Sequence, residues 1–560
     1  MTDRPWLANY DEGVPHDLEP DDATVADMVA RSIAAHPDRD ALVFDKARIT
    51  YRRLGEEIER CATALSRLGV EPGTRVAVHL PNLPQTVIAF QAALRIGAEV
   101  VLTNPLYTPP EIEHQWRDAG CHLAVTADFL FGRGVQPVRG RLPLAEVVVA
   151  SIPDYLPAPA RWLAPLVLAR RDPPLWARVT AEDHVHRWRE LVRRSPRKAP
   201  SPAIDPGATA VLQYTGGTTG VSKGAMLTHA NLAANVRQNR AWFGEEQHHV
   251  MMACLPLFHS FGMTVAMNWP LADGMTIVLA PNPRDLDHLL DVIEEERVTI
   301  FPAVPAIYNG LNSHPRTPET DFSSLRFCVS GSAPIPEDVL RRFEELSGAP
   351  ILEGYGLSET SPVTHCNPQR GERRVGSIGL PLPGTDARVV DPDDRERELG
   401  PDEEGELLLA GPQVMKGYHD KPDETAAVLR DGWFATGDLA AMSADGYFRI
   451  VGRKKDMINC SGFKVYPDEV DDVLASHEGI VEAATIGVPD AERGETVRSY
   501  VVLCEGASLT REEVVAFCRE RLAAYKVPRE VLFIDELPKS TVLKVLRREL
   551  RDRAIQESAG

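Results

Sequence analysis

The stretch Tyr214-Thr-Gly-Gly-Thr-Thr-Gly-Val-Ser-Lys-Gly-Ala-Met-Leu-Thr-His229 indicates both the fold and the chemistry of this 560-residue chain. Glycine, threonine, serine and lysine fill residues 215–224 except for Val221. Glycines let backbone N–H groups turn toward an anion, the hydroxyl groups donate further hydrogen bonds, and Lys223 adds positive charge. An apolar run at residues 210–214 comes first, so the pattern predicts a buried strand followed by a phosphate-binding loop.

This loop is not a Walker A motif. That motif needs Gly-Lys-Ser/Thr, whereas here Ser222 precedes Lys223 and Gly224 follows it. A kinase or a P-loop ATPase is therefore disfavoured. The alternative to a phosphate site is a flexible glycine-rich surface loop, which the preceding apolar strand and the density of donors disfavour.

The surrounding sequence predicts an α/β fold. Short apolar strand patterns alternate with helical spacing of apolar residues, with strands at 41–44, 75–80 and 99–102 and helices at 25–33, 54–65 and 84–96. Such alternation is typical of mostly parallel sheets covered by helices on both faces. We expect a large N-terminal domain of several subdomains over residues 1–452 and a smaller, mobile α+β domain over 453–560. In the second domain, Thr510 and Glu513 form a predicted capping box.

Composition excludes several classes of protein. Hydrophobic residues at 43% and charged residues at 25% are ordinary values for a soluble globular chain. The 81 acidic residues exceed the 61 basic ones, which gives a net charge of −20 and disfavours nucleic-acid binding. The eight cysteines form no CxxC pair, and the N-terminus has no apolar signal-peptide run, so we expect a cytoplasmic protein.

Residues 155–198 break the α/β alternation by mixing prolines, apolar residues and arginines. Arg161 and Pro165 interrupt the apolar run, which is therefore too short to span a bilayer. Two interpretations remain open. The segment is either a surface that touches a membrane or a fatty tail, or an inserted loop that packs on the sheet domain.

Six further motifs follow the loop in order. They are Pro256-Leu-Phe-His-Ser-Phe-Gly262, Glu353-Gly-Tyr-Gly-Leu-Ser-Glu-Thr-Ser-Pro362, Asp431-Gly-Trp-Phe-Ala-Thr-Gly-Asp438, Gly452-Arg-Lys-Lys-Asp456, Ser461-Gly-Phe-Lys464 and Pro538-Lys-Ser-Thr-Val-Leu-Lys-Val-Leu-Arg547. Together with the loop, they resemble the signatures of the acyl-adenylate-forming superfamily, which includes the acyl-CoA synthetases. The resemblance extends over roughly residues 25–550.

The resemblance implies a nucleotide site. Tyr355 would stack on adenine, Asp438 and Arg453 would bind the ribose, and Glu359 would hold Mg²⁺. The phosphates would contact the loop and its neighbours, and the nucleotide-binding residues are then Thr215, Gly216, Gly217, Thr218, Thr219, Gly220, Lys223, Gly354, Tyr355, Gly356, Thr360, Asp438 and Arg453. Taken alone, Ser358-Glu359-Thr360 would be read as a helix cap.

The resemblance also implies the remaining roles. Lys544 would act in the adenylation step with Thr215, Glu359 and His259, although Leu543 stands where the superfamily usually has glycine. Substrate binding would fall to His259, Phe261 and Gly331, and CoA binding to Ser461, Gly462 and Phe463, with Lys455 as the hinge. On its own, His259 would be interpreted first as a core histidine bonded to the backbone.

The predicted activity is ATP-dependent formation of an acyl adenylate from a medium- or long-chain fatty acid, followed by transfer to coenzyme A. ATP, Mg²⁺ and CoA are the implied cofactor and co-substrates. Fatty-acyl members often have histidine where Ala435 stands, so the chain length of the acid stays open. Three alternative functions also stay open: an aryl-acid CoA ligase, an acyl-AMP ligase that loads a carrier protein, and a non-catalytic ATP-binding scaffold, which Leu543 alone supports. The expected partners are small molecules, with a homodimer and peripheral membrane contact as further expectations.

Overall fold

The structure is a computed structural model that describes residues 4–180, 182–215, 222–244, 248–460, 463–490, 494–504, 506–540 and 545–559. Its strands are β1 (Asp40–Phe44), β2 (Ala47–Thr50), β3 (Arg75–His79), β4 (Glu99–Leu102), β5 (Leu123–Ala127), β6 (Glu146–Ala150), β7 (Val185–Arg187), β8 (Thr209–Thr215), β9 (Lys223–Thr228), β10 (Val250–Ala253), β11 (Thr276–Leu279), β12 (Ile300–Ala303), β13 (Phe327–Ser330), β14 (Ile351–Gly356), β15 (Val363–Cys366), β16 (Leu380–Pro381), β17 (Asp386–Val390), β18 (Gly405–Ala410), β19 (Gly417–Tyr418), β20 (Leu429–Arg430), β21 (Trp433–Met442), β22 (Phe448–Arg453), β23 (Ile458–Cys460), β24 (Phe463–Val465), β25 (Ile480–Asp490), β26 (Gly494–Leu503) and β27 (Glu530–Phe533).

The helices are α1 (Val25–Ala35), α2 (Tyr51–Arg67), α3 (Pro84–Arg95), α4 (Pro109–Asp118), α5 (Asp128–Leu130), α6 (Gln136–Arg139), α7 (Ala160–Leu168), α8 (Trp188–Arg194), α9 (His229–Phe243), α10 (Ser260–Met263), α11 (Trp269–Ala272), α12 (Leu286–Glu295), α13 (Pro305–Ser313), α14 (Glu337–Ser347), α15 (Pro422–Val428), α16 (Pro467–Ala475), α17 (Arg511–Arg519) and α18 (Arg547–Ala559). Short 3₁₀ turns lie at Pro5–Asn9, Ile152–Asp154, Thr317–Glu319 and Ser358–Thr360, and π-helical turns at Phe131–Val135 and Thr264–Asn268.

The first sheet carries the glycine-rich loop. Its order is β19-β9-β8-β4-β3-β5-β6-β7, and β8 through β7 run parallel. Strand β9 turns back against β8, so Thr215 and Lys223 are paired across the hairpin that the loop closes. The predicted strand at 210–214 is confirmed as part of β8.

The second sheet is also mostly parallel. Its order is β16-β15-β14-β13-β12-β10-β11-β1-β2, with antiparallel strands only at the two edges. The predicted mostly parallel α/β architecture with a smaller C-terminal unit is confirmed.

Helices α3 and α9 lie in the main core with both large sheets. Every residue of α3 except Arg95 is buried, as expected for a helix that is covered on all sides. The spacing of apolar residues predicted α3 at 84–96, and the same spacing at 25–33 and 54–65 corresponds to α1 and α2. Local periodicity was sufficient to locate these helices.

A third sheet is antiparallel and was not predicted. Strands β17, β18, β21 and β20 pair in that order, and β22 pairs with β21. It contributes Asp438 and Arg453, which are directly paired across β21 and β22.

The C-terminal unit has its own sheet and core. Strands β25 and β26 form a long antiparallel hairpin, and α16 and α17 contribute Val470 and Val514 to the core of this unit. The predicted capping box is confirmed: Thr510 Oγ1 accepts a hydrogen bond from the backbone N–H of Glu513 at 3.3 Å, and the Thr510 N–H donates to Glu513 Oε2 at 2.8 Å.

The segment at residues 155–198 contains α7, β7 and α8. Strand β7 extends the first sheet beside β6, and Trp188 of α8 is buried. The C-terminal part of this segment therefore packs on the sheet domain, as the second of the two interpretations expected. In contrast, α7 buries none of its residues. Among the described residues, no helix is both long and apolar enough to cross a bilayer.

Candidate functional site

A cavity of about 650 Å³ lies where the three sheets of the large domain meet. Its wall includes Thr215 at the end of β8, Gly331 after β13, Tyr355 in β14, and Thr436 and Arg453 from the third sheet. Ligands of α/β sheets bind beyond the carboxyl ends of the strands, and this is where β8, β13 and β14 end. A second cleft of about 840 Å³, between α1, α2 and residues 197–204, contains none of the motif residues.

Asp438, with 3% of its surface exposed, is a buried carboxylate that contacts the cavity-lining residues Tyr355 and Arg453 but does not itself line the cavity. The Tyr355 hydroxyl donates to Asp438 Oδ2 at 2.6 Å, and Arg453 Nε lies 2.9 Å from Asp438 Oδ1. The Asp438 carboxylate raises the pKa of Arg453, and burial raises the pKa of Tyr355 well above its usual value. The carboxylate is thus held in one orientation by a phenol and a guanidinium group.

Glu359 supplies a second carboxylate. It lies in the 3₁₀ turn Ser358–Thr360, where the Tyr418 hydroxyl donates to its Oε1 at 2.8 Å. Burial raises the pKa of Glu359, and the Tyr418 hydrogen bond opposes that rise. An added cation would favour the ionised form of this carboxylate.

Glu359 fits the Mg²⁺ that the sequence implied. In the described part of the chain, no group of three or more histidine, cysteine or acidic side chains forms a metal cage. Mg²⁺ bound with a nucleotide usually needs only one or two carboxylates, because the phosphates and water supply the other ligands.

A tight backbone approach fixes the turn that presents Glu359. A Cβ atom added to Gly356 would lie 2.0 Å from the carbonyl oxygen of Pro362, which is closer than any real contact. Glycine is therefore required at this position, and the strand must bend back on itself directly before Glu359.

Lys223 lies at the cavity, as predicted, but it is already paired. Its ammonium group contacts the Glu424 carboxylate of α15 and lies 5.5 Å from the centre of the Tyr418 ring. A phosphate that bound Lys223 would have to compete with Glu424.

His259, Phe261 and Gly331 come together on another part of the wall. His259 is the N-cap of α10, and its Nδ1 accepts from the Phe261 N–H at 3.3 Å. A Cβ atom added to Gly331 would lie 3.2 Å from the Phe261 ring and 3.4 Å from the Gly354 carbonyl oxygen. His259 therefore combines a backbone hydrogen bond with a place in the cavity wall.

Apolar side chains extend this part of the cavity. They come from α9, the π-helical turn after α10, β13, β15 and β21, and they are Phe243, Val265, Val329, Val363 and Phe434. Such a lining suits an apolar tail rather than a charged side chain.

Thr360 is not among the residues that line the cavity. Its hydroxyl donates to the Leu357 carbonyl oxygen at 3.0 Å and accepts from the Leu357 N–H at 3.1 Å, and the residue is fully buried. The expected contact between Thr360 and the phosphates would require this turn to rearrange.

The remaining predicted residues divide into three groups. Gly354, Tyr355, Gly356 and Lys455 line the cavity, and burial lowers the pKa of Lys455. Phe463 belongs to β24. The others lie outside the described residues: Gly216, Gly217, Thr218, Thr219, Gly220, Ser461, Gly462, Leu543 and Lys544.

The sequence interpretation missed Tyr418 and Glu424. Both reach the cavity because β19 pairs with β9, where Gly417 lies opposite Met226. A two-residue strand gives no periodic signal, so no sequence pattern could have placed these side chains beside Glu359 and Lys223.

Comparison with known proteins gives a consistent result. The model for the AMP-binding enzyme family matches residues 29–419, and the model for the AMP-binding enzyme C-terminal domain matches residues 469–544. The chain is 42% identical over 554 residues to a long-chain-fatty-acid–CoA ligase of Bacillus subtilis, and 98% of each chain is covered. It is 40% identical over 554 residues to the enzyme of that name from Escherichia coli O157:H7, again with 98% of each covered.

A solved structure has a similar fold. The anthranilate CoA ligase AuaEII in complex with anthranoyl-AMP matches with a TM-score of 0.86 and 26% identity, covering 96% of this chain and 98% of that one.

Glu353, the first residue of the motif at 353–362, gives a pH-dependent prediction. It is 5% exposed, and burial raises its pKa from 4.5 to about 8 although the backbone N–H groups of Ile335 and Gly376 favour ionisation. In the unfolded chain, it ionises near its ordinary pKa. Its stabilising contribution is therefore complete below pH 4.5 and is lost as the pH rises through about 8, by up to ~1.4 kcal/mol per pH unit.

We expect the melting temperature of Glu353→Gln to rise relative to that of the wild type as the pH rises from about 5 to 8. Above that pH, the difference in melting temperature should stay constant. Differential scanning calorimetry at several pH values measures this difference. Glu345→Gln, at a side chain that is 69% exposed, is the control and should give a flat difference. A difference for Glu353→Gln that does not change with pH would contradict the buried, protonated carboxyl.

Proposed function

This chain belongs to the AMP-binding enzyme family, and from that membership and the geometry of its cavity we propose that it is a long-chain fatty acid–CoA ligase. The single observation that carries the proposal is the Tyr355–Asp438–Arg453 arrangement beside an apolar-lined cavity. The full-length similarity to two long-chain-fatty-acid–CoA ligases supports the choice of acid.

The proposed reaction has two steps. A carboxylate oxygen of the fatty acid attacks the α-phosphorus of ATP, and the bond to pyrophosphate breaks to leave acyl-AMP. The CoA thiol then gives up its proton to solvent as its sulfur attacks the acyl carbon, and the bond from that carbon to the phosphate oxygen breaks to release AMP. The attacking carboxylate is already ionised near neutral pH, so the first step needs charge neutralisation and alignment rather than a general base.

Asp438 is proposed to bind the nucleotide at its ribose. A carboxylate fixed by Tyr355 and Arg453 loses little freedom when it accepts hydrogen bonds from two hydroxyl groups. Arg453 would contribute a second ribose contact. Tyr355, whose hydroxyl is bonded to Asp438, would present its ring to adenine between Gly354 and Gly356.

The phosphates are proposed to lie along residues 215–223. Thr215 and Lys223 stand opposite each other at the base of this loop. Residue Glu359 would hold Mg²⁺, which would neutralise charge on the phosphates. Binding of the phosphates would release Lys223 from Glu424, so the loop would change its ion pairing when the nucleotide arrives.

The acyl group is proposed to lie against Phe261 and Gly331, with His259 beside its carboxylate. The apolar lining around Val265 and Val363 suits a fatty tail. CoA would approach from the side of Ser461, Gly462 and Phe463.

Residues 1–452 and 453–560 are proposed to be two domains that rotate about Lys455. One rotation would present Lys544 to the α-phosphate for adenylation, and the other would withdraw it so that the CoA-binding residues face the acyl adenylate.

The partners are then small molecules, and a homodimer stays a prediction. A reducing, cytoplasmic setting is supported by the eight cysteines, all of them described and none joined in a disulfide.

Pyrophosphate exchange tests the proposed reaction directly. With Mg-ATP and a panel of hexanoate, palmitate, benzoate and ferulate, we expect palmitate to support the fastest exchange of pyrophosphate into ATP. Added CoA should then give palmitoyl-CoA and AMP. Exchange without any thioester would contradict the CoA assignment and favour a carrier-protein ligase. Exchange only with benzoate or ferulate would favour an aryl-acid ligase, and no exchange with any acid would favour a scaffold.

Lys544→Ala tests the division between the two steps. Removal of the cation should slow palmitate-dependent exchange by about 10²- to 10³-fold, because one preorganised charge at the transition state is lost. Supplied palmitoyl-AMP should still react with CoA at close to the wild-type rate.

The control is Lys539→Ala, which removes a nearby lysine whose ammonium group lies 2.6 Å from Glu482 Oε1. This variant should carry out both steps at rates within a few-fold of the wild-type rates. Equal loss of both steps in a folded Lys544→Ala variant would contradict the proposed role of Lys544.

A further inference from the structure

Helix α7 exposes large apolar side chains that no part of the fold explains. None of its nine residues is buried. Trp162, Leu163, Leu166 and Val167 have 65%, 57%, 62% and 60% of their surface exposed. These positions are spaced so that they share one face of the helix. The helix thus turns its most hydrophobic face outward.

Basic residues accompany this face. Residues 160–172, which comprise α7 and the turn after it, contain three arginine residues and one acidic residue, in a chain whose net charge is −20. Arg170 and Arg171 are exposed directly after α7, and the described residues provide no carboxylate within 4.0 Å of either one. Arg161 places its guanidinium carbon 5.3 Å from the centre of the Trp162 ring. An acidic protein therefore has a local basic patch around its most exposed apolar helix.

The catalytic cavity does not account for α7. No residue of 155–198 lines that cavity. At about 1.5 Å per residue the helix is roughly 13 Å long, less than half the thickness of a bilayer core, so it cannot span a membrane. A short helix with this face can instead lie in the interface, with its apolar side chains among the lipid headgroups.

We propose that α7 is an interfacial helix that docks the protein on an anionic lipid bilayer. Trp162, Leu163, Leu166 and Val167 enter the headgroup region, where tryptophan is favoured. Arg170 and Arg171 contact lipid phosphates, which attract basic side chains close to the surface. The basic patch provides the charge complementarity that the rest of this acidic chain lacks.

Charge also disfavours a second copy of the chain as the occupant of this face. A two-fold symmetric dimer through α7 would bring the same patch of both copies together, so Arg170 and Arg171 of each would face one another.

The proposal stands on α7 alone and does not depend on which acid the enzyme activates. If the acid is a long-chain one, docking would bring the cavity close to the membrane in which such acids dissolve.

Vesicle flotation of the full chain tests the apolar face. Wild-type protein should float with equimolar phosphatidylglycerol and phosphatidylcholine vesicles, and only weakly with phosphatidylcholine alone. The double variant Trp162→Ser/Leu166→Ser should lower vesicle affinity by about tenfold or more. The control is Leu106→Ser, at a side chain that is 68% exposed elsewhere on the surface, and it should bind as wild type does.

A second pair of variants tests the basic patch. Arg170→Gln/Arg171→Gln should weaken binding to phosphatidylglycerol vesicles by about tenfold or more and reduce its dependence on salt. Arg341→Gln/Arg342→Gln, an exposed adjacent pair on α14, is the matched control and should have no such effect. Thermal unfolding followed by circular dichroism checks that each variant remains folded.

Four outcomes would overturn the proposal. Three of them are no flotation of the wild-type protein, equal flotation with both kinds of vesicle, and the same loss of vesicle affinity in the Leu106→Ser control as in Trp162→Ser/Leu166→Ser. The fourth is a wild-type dimer in sedimentation velocity that Trp162→Ser/Leu166→Ser converts to a monomer, which would assign α7 to a second copy.

Discussion

The buried carboxylate of Asp438 is the constraint on which the candidate site depends. A carboxylate that is 3% exposed must be compensated by hydrogen bonds or charge, and here Tyr355 and Arg453 both provide that compensation. Tyr355 comes from the second sheet and Arg453 from the third, so one interaction joins two sheets at the cavity. If one partner were removed, the charge would be only partly compensated and the carboxylate would lose its fixed orientation.

A similar arrangement repeats where Glu359 and Lys223 line the cavity. Tyr418 holds Glu359, and Glu424 holds Lys223, so the short segment with β19 and α15 connects the turn after β14 to the hairpin of β8 and β9. The site is thus held by side chains whose partners lie far away in the sequence. In the proposed reaction, the nucleotide replaces some of these internal contacts with its own charges.

Local sequence signals located a large part of the fold and the motifs that surround the cavity. The spacing of apolar residues placed α1, α2 and α3, and the capping box placed the start of α17, because these elements depend on neighbours a few residues away. The third sheet was missed because its longest strand, β21, does not alternate buried and exposed residues and so gives no period-two signal. Tyr418 and Glu424 were missed because their partners, Glu359 and Lys223, lie far away in the sequence. The turn around Thr360 has the cap-like hydrogen bonds that the alternative interpretation of Ser358-Glu359-Thr360 anticipated.

Calorimetric titration of nucleotide analogues tests the ribose role of Asp438 most directly. Wild-type protein should bind 2′,3′-dideoxy-ATP at least about tenfold more weakly than ATP, because charge-assisted hydrogen bonds contribute about 1.5–3 kcal/mol each. Asp438→Asn should bind ATP more weakly than wild type does and should discriminate little between the two nucleotides. Full discrimination retained by a folded Asp438→Asn protein would show that the ribose is bound elsewhere.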